Sequence, residues 1–241
     1  MNLKRFGIDA PFALLVYTVF GIGLLSHAYL NRFKYPITIE VILGAVLLLG
    51  AIIFLHTTVR GKYRIFDVAV KSLKLQPQDQ ILDLGCGRGA LLTRLARGLQ
   101  GTGKVTGLDL WLSRDQSHNK QAIAQKNVVD LGLEDHVELV TGDMTKLDFS
   151  DDYFDVVTSS FAVHNIKSVE ARQQAIKEAI RVLKPDGQLL IIDTDHHLKE
   201  YQQVMAAGDL TITQAAGLGI NGWWATPLTG SYLVLGKKPL K

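Results

Sequence analysis

The sequence predicts an α/β fold, a parallel sheet with helices on both faces, preceded by two transmembrane α-helices. Three observations carry this. Residues 11–30 contain no Asp, Glu, Lys or Arg, and residues 37–56 contain only Glu40. Beyond them, short apolar strand-like runs alternate with helical stretches. The first of these strands runs directly into a turn with glycine at every second position, Gly85-Cys86-Gly87-Arg88-Gly89.

Composition agrees with this reading. The 241 residues are 47% hydrophobic and 20% charged, against about 25% charged in an ordinary soluble domain. Such a chain is not disordered. Lys+Arg is 26 and Asp+Glu is 23, and a net charge of +3 is too small to be a nucleic-acid footprint. The single cysteine, Cys86, excludes an intrachain disulfide and a multi-cysteine metal site.

The first element is a transmembrane hairpin over residues 1–56, with spans at about 11–30 and 37–56, because about 20 apolar residues cross a bilayer core. Residues 31–36 make a turn-length connection ending at Pro36. Gly21 and Gly23 in the first span, and Gly44 and Gly50 in the second, let backbones approach closely. A pair of buried globular helices is one rival reading; a cleaved signal peptide, with Lys4 and Arg5 as its basic start and Ser26-His27-Ala28 as a cleavage site, is the other. The long first run and the immediate second one argue against both. Lys4 and Arg5 before the hairpin, and Arg60, Lys62 and Arg64 after it, face Arg32 and Lys34 in the loop. The bias puts both termini and the following domain on the cytoplasmic side. Glu40 is expected at the interface, hydrated.

Residues 57–76 form a basic juxtamembrane helix, with Ile65, Ala69 and Leu73 on one face. Its cations are expected beside lipid headgroups. The same segment also reads as the first helix of the domain that follows, residues 77–241. Strands are expected at 80–84, 104–109, 137–140, 154–159, 188–193 and 232–236, with helices at 90–99, 119–131 and 168–183. A β-α-β rhythm of this kind binds ligands at the carboxyl ends of its strands.

The turn after the first strand is the strongest feature at that edge. Its glycines allow backbone N–H groups close to a ligand. The second strand ends at Asp109, twenty residues after Gly89. A carboxylate there can accept both hydroxyls of a ribose. A dinucleotide dehydrogenase shares that logic, but the glycine spacing differs, and no Tyr-x-x-x-Lys pair is present.

Five segments together resemble the class I S-adenosylmethionine-dependent methyltransferases. They are Asp83-Leu-Gly-Cys-Gly-Arg-Gly89, Gly107-Leu-Asp109-Leu110, Gly142-Asp143-Met144, Phe154-Asp155-Val-Val-Thr-Ser159-Ser160 and Arg181-Val-Leu-Lys184-Pro185-Asp186-Gly187. In the family, the last segment usually ends Pro-Gly-Gly. The resemblance covers roughly residues 60–193 and leaves 1–56 outside. Trp111 and Asp115-Gln116-Ser117-His118-Asn119 resemble a bacterial-type subgroup.

The resemblance implies a Rossmann-like seven-stranded methyltransferase sheet and S-adenosylmethionine as cofactor. It implies that Asp83 orients the glycine loop and the cofactor's amino group, and that Gly85 and Gly87 lie against the methionine moiety, with Cys86 a small filler between them. By the same resemblance Asp109 binds the ribose, Leu110 lies against adenine, and Asp143 and the Met144 backbone meet the adenine edge. Ser159 and Ser160 border the reacting centre. A turn role is the alternative for Asp143.

Methyl transfer is an in-line displacement in which the protein aligns the nucleophile. A base is needed where that nucleophile starts protonated. His164 is the candidate base or substrate-positioning residue. Asp193, Asp195, His196 and His197 after the fifth strand are a second source, read otherwise as a helix cap and solvated side chains. Their spacing matches no metal motif. Trp223 and Trp224 line a substrate mouth, sit at a membrane interface or close the core.

The expected function is a membrane-bound methyltransferase acting on a lipophilic acceptor: a quinone precursor, sterol-like lipid or phospholipid headgroup. A tethered enzyme for a soluble substrate or protein, and a catalytically silent cofactor-binding adaptor, are the alternatives. The expected partners are the lipid bilayer and a lipophilic small molecule, with no nucleic acid. The sequence does not reach the oligomeric state.

Overall fold

The computed structural model describes residues 6–33, 36, 38–99, 101–112 and 119–240. Lys4, Arg5, Lys34, the start of the second span at Ile37, and Asp115 to His118 lie outside these.

Helix α1 runs Pro11–Asn31 and α2 runs Thr38–His56. They cross at two glycines. A Cβ on Gly21 would lie 3.2 Å from the Gly44 carbonyl oxygen, and one on Gly44 would lie 3.1 Å from that of Gly21. Gly23 faces open space, so it takes no part in this crossing. Glu40 accepts a contact from His27 of α1 at 3.0 Å, so it is held by the neighbouring span rather than by water alone.

The second apolar helix does not stop at His56. A π-helical turn, Thr57–Gly61, carries it into α3, Lys62–Leu73, and the whole forms one 35-residue helix, Ile39–Leu73. Helix α3 presents Ile65, Phe66, Ala69 and Leu73 to the core of the sheet. The expectation of basic side chains at lipid headgroups fails for Lys62. It is 3% exposed and its ammonium sits 2.5 Å from Asp9. Asp9 also binds Thr58, whose hydroxyl lies 2.6 Å from the same carboxylate oxygen. The chain before α1 therefore folds back onto the base of the second span, with the Phe6 ring 6.1 Å from that of Tyr63.

The sheet contains β1 (Gln80–Leu84), β2 (Lys104–Asp109), β3 (Val137–Thr141), β4 (Phe154–Ser160), β5 (Leu183–Asp193), β6 (Thr211–Gly217) and β7 (Tyr232–Lys237). Their spatial order is β3-β2-β1-β4-β5-β7-β6. The first five are parallel, and β7 pairs antiparallel with both neighbours. The expected all-parallel sheet is thus mixed. Helices α4 (Leu92–Gly98), α5 (Gln121–Val129), α6 (Val169–Val182) and α7 (Leu198–Ala207) complete the fold. One face is filled around Phe66, Leu91, Leu92 and Leu95, the other around Ile176, Ala179, Tyr201 and Met205.

Candidate active site

The chain leaves β1 for β2 on one side and returns to β4 on the other, so a crevice opens at the carboxyl ends of β1 and β4. Asp83 and Thr158 are direct register partners there. Asp83 is 1% exposed, and its Oδ1 accepts from the Thr158 hydroxyl at 2.8 Å. Burial, partly offset by that hydrogen bond and reinforced by the Asp109 charge, raises its pKa to about 7. Its Oδ2 is buried with no hydrogen-bond partner among the described residues. An acceptor left unpaired in such a place is costly and invites a donor.

The glycine loop is held by backbone bonds. The Gly85 and Cys86 N–H groups donate to the Leu108 carbonyl at 2.8 and 3.2 Å. Gly85 has φ +68°, and a Cβ there would lie 2.3 Å from the Ala162 Cβ and 3.2 Å from the Met144 Cε. Glycine is therefore required twice over, by conformation and by space. The same contact brings together Gly85, Met144 and the loop after β4, which are far apart in sequence. Burial first, then the Asp83 and Asp109 charges, push the Cys86 thiol well up. Such an environment favours the protonated thiol over the thiolate nucleophile.

Asp109 ends β2 facing the loop. Its Oδ2 accepts from the Gly87 N–H at 2.8 Å, and its Oδ1 from the Trp111 N–H at 2.6 Å and the Asn119 amide at 3.0 Å. Three of about four acceptor positions on the carboxylate are thus in use. Asn119, singled out in the sequence only within a subgroup resemblance, is brought to Asp109 by the fold. Leu110 is half exposed beside Asp109. Asp143 forms an Asx turn, with Oδ1 accepting from both the N–H and the hydroxyl of Thr145 at 2.8 Å. Its turn role is thus present, and the residue is exposed.

Ser159 donates to the Leu84 carbonyl at 3.0 Å, while Ser160 stands half-buried at the strand end. The next turn, Val163–Asn165, carries His164. Its Nδ1 lies 2.5 Å from Oδ1 of Asp193, and its backbone N–H donates to Oδ2 at 3.0 Å. Asp193 is fully buried and also accepts from the Tyr201 hydroxyl and the Thr194 N–H, each at 3.0 Å. Burial alone would lower the His164 pKa, but the Asp193 hydrogen bond and charge, with Asp195 adding, raise it. Burial pushes the Tyr201 phenol up strongly, so it remains a donor. The Asp/His cluster after β5 is divided: Asp193 serves His164, while His197 turns to Glu200 at 3.3 Å.

Aromatic rings connect this edge to the hairpin. Trp224 lies 5.4 Å from Phe54 of α2 and 5.5 Å from Phe161, and Phe161 lies 6.0 Å from Phe66 of α3.

Residues 82–191 match the family model described as a methyltransferase domain. A demethylmenaquinone methyltransferase of Lactobacillus johnsonii is 36% identical over 124 residues, covering 52% of this chain and 47% of that protein. A 2-phytyl-1,4-naphtoquinone methyltransferase of Trichormus variabilis is 32% identical over 134 residues, or 55% of each. The chain therefore spans about half the length of the curated relatives it matches. Among solved structures, a SAM-dependent methyltransferase from Aquifex aeolicus superposes with a TM-score of 0.57 at 20% identity, over 71% of this chain and 88% of that one. Geranyl diphosphate C-methyltransferase from Streptomyces coelicolor A3(2) gives 0.57 at 16%, over 73% and 80%. At these identities the structural likeness establishes the fold.

Proposed function

We propose that this chain is a class I S-adenosylmethionine-dependent methyltransferase that methylates an isoprenoid quinone precursor at a membrane surface. The observation that carries this reading is the aromatic contact from Phe54 in the second span, through Trp224, to Phe161 beside His164. A soluble acceptor requires no such apolar bridge between an anchor and a site. Two relatives named for naphthoquinone methylation support the acceptor class.

The residues present fit the cofactor. The unpartnered Asp83 Oδ2 suits an ammonium donor, and Gly85 and Gly87 would lie along the methionine chain. Asp109 and Leu110 would hold the ribose and adenine, with Asp143 and Met144 at the adenine edge and Ser160 near the reacting centre. When bound, S-adenosylmethionine supplies an electrophilic methyl group on a sulfonium. His164 acts on the acceptor. With Nδ1–H directed at Asp193, its Nε2 can take the proton from a hydroquinone hydroxyl, which makes the ring a stronger nucleophile. Asp193 fixes the tautomer and stabilises the imidazolium that forms. The surrounding apolar rings exclude water from that exchange.

The test is transfer itself. Detergent-purified protein is incubated with methyl-labelled S-adenosylmethionine and host membrane extract, and products are partitioned between organic and aqueous phases. Organic-phase label lost in Asp83→Ala and Asp109→Ala is the expected result. Label confined to water-soluble products would reduce the hairpin to a tether. Cofactor binding without any label, with a reduced demethylated naphthoquinone added, would favour a silent adaptor.

A further inference from the structure

We propose that the connection between β6 and β7, residues 218–231, is itself immersed in the bilayer as a third, non-helical membrane element beside the two spans. The proposal rests on the reading of α1 and α2 as transmembrane.

Depth is the first argument. A Cβ on Gly50 would meet Ala225 at 3.5 Å and the ring of Tyr17 at 3.6 Å. Gly50 stands six residues inside the end of α2 at His56, and Tyr17 six residues inside the start of α1 at Pro11. At 1.5 Å per residue, both lie about 9 Å from the helix ends. Suppose instead that the bilayer began beyond Ala225. Only residues 17–31 and 38–50 would remain to span it, about 20 Å of helix against a hydrocarbon core of about 30 Å. The helices must therefore enter lipid before the level of Ala225, and the loop enters with them. Ile52 and Leu55, exposed on α2 near that level, agree with a lipid environment there.

Composition is the second. Between Asp209 and Lys237 no residue is Asp, Glu, Lys or Arg. Within this stretch Ile220 and Leu228 are exposed, Leu228 at 78%.

The third is polar satisfaction. Irregular backbone survives at membrane depth only where its N–H and C=O groups are paired within protein. Here the Trp224 N–H donates to the Thr229 carbonyl at 3.1 Å, Thr229 N–H to Thr226 at 3.2 Å, Ser231 N–H to Gly222 at 2.8 Å and Leu218 N–H to Ser231 at 3.0 Å. The Thr229 hydroxyl donates to the Trp224 carbonyl. The Trp224 indole N–H reaches the Ser231 hydroxyl at 2.9 Å. The Trp223 carbonyl accepts from the Thr57 hydroxyl of the π-turn at 2.5 Å. The loop thus pairs these polar groups within the protein while Ile220 and Leu228 stay exposed, and Asn221 Oδ1 is its one buried side-chain acceptor without a partner among the described residues.

The consequence is that one edge of the catalytic domain sits within the leaflet, so that the Trp224–Phe161 contact meets an acceptor that need not leave the lipid.

Nitroxide depth measurement tests this on the full chain in phosphatidylcholine vesicles, without any need for activity. Leu228→Cys, Ile52→Cys and Lys177→Cys are labelled separately, with the unsubstituted chain as the blank for the buried Cys86. Oxygen collects in lipid and a nickel chelate in water. The expected result is oxygen relaxation exceeding nickel relaxation at Leu228→Cys, as at Ile52→Cys, with the order reversed at Lys177→Cys on exposed α6. A Leu228→Cys label that behaves like Lys177→Cys while Ile52→Cys remains oxygen-dominated overturns the immersed loop alone. Nickel dominance at Ile52→Cys as well overturns the spanning reading beneath it.

Discussion

His164 and Asp193 are joined twice, by an imidazole Nδ1 to Oδ1 contact of 2.5 Å and by a backbone N–H to Oδ2 bond of 3.0 Å. Two bonds from one residue to one buried carboxylate fix both the position and the orientation of the ring. The stability contributed by the pair's raised histidine pKa is full below about 6.5 and is lost as pH rises through the folded value. On the proposed role of His164 as base, turnover needs the neutral ring, and kcat should rise with pH through a pKa above the ordinary histidine value. His164→Ala should lower kcat by about 10²–10⁴-fold with cofactor affinity unchanged. Asp193→Asn should move the pH profile to lower pH, a shift that a purely structural role would not produce.

Asp83 has a linkage of the same sign. Its folded pKa, near 7, lies above the unfolded carboxylate value. The folded state thus holds a proton that the unfolded state releases, and this group favours folding less as pH rises from about 4 to 7. On the proposed pairing of Asp83 with the cofactor's ammonium group, binding needs the ionised form. Affinity for S-adenosylhomocysteine should fall by up to about tenfold per pH unit below 7. Asp83→Asn should flatten that dependence in calorimetric titrations.

Gly85→Ala and Gly132→Ala separate strain from collision. Both glycines have positive φ, +68° and +64°, but only Gly85 has neighbours within 4 Å of an added Cβ. Gly132→Ala should cost about 1 kcal/mol, from conformation alone. Gly85→Ala should cost more, and should abolish S-adenosylhomocysteine binding, because the Ala162 Cβ cannot rotate away. Equal melting temperatures in the two variants would contradict this account.

The base of the hairpin is a fastening. A Cβ on Gly61 would lie 2.2 Å from the Asn221 carbonyl oxygen. Gly61→Leu should free the β6–β7 connection, raising its proteolytic sensitivity while cofactor binding persists. Thr57→Val keeps the shape and removes the donor to Trp223, and should cost about 1–3 kcal/mol in thermal unfolding.

Lys62 is an uncommon cation, 4% exposed at its side chain and paired with Asp9. Asp9→Ala leaves that charge buried and should destabilise the protein by about 3–5 kcal/mol. Adding Lys62→Met should restore most of the loss, which a double-mutant cycle in denaturant would measure.

The two long apolar helices, the glycine turn and the acids ending β1 and β2 were legible in the sequence because each is a local pattern: an uncharged run, a glycine spacing, a carboxylate at a strand end. Strand β6 was not, since Thr-Ile-Thr-Gln-Ala-Ala-Gly at an exposed sheet edge shows no alternation between a buried and an open face. Nor was the 35-residue continuity of the second span into α3, because the change from apolar to basic residues reads as a boundary while the backbone runs through it. Fourth-strand and fifth-strand loops each offered His or Asp. Only their juxtaposition across the β4–β5 pair selected His164 with Asp193, and Asn119 joined Asp109 in the same way. Likewise Gly21 and Gly23 are equivalent on paper, and the crossing of α1 over α2 uses one and leaves the other in open space. Residue chemistry sets what each position can do. Which groups come within hydrogen-bonding or van der Waals distance is decided by packing between segments remote in the chain, because those forces act only over a few ångströms.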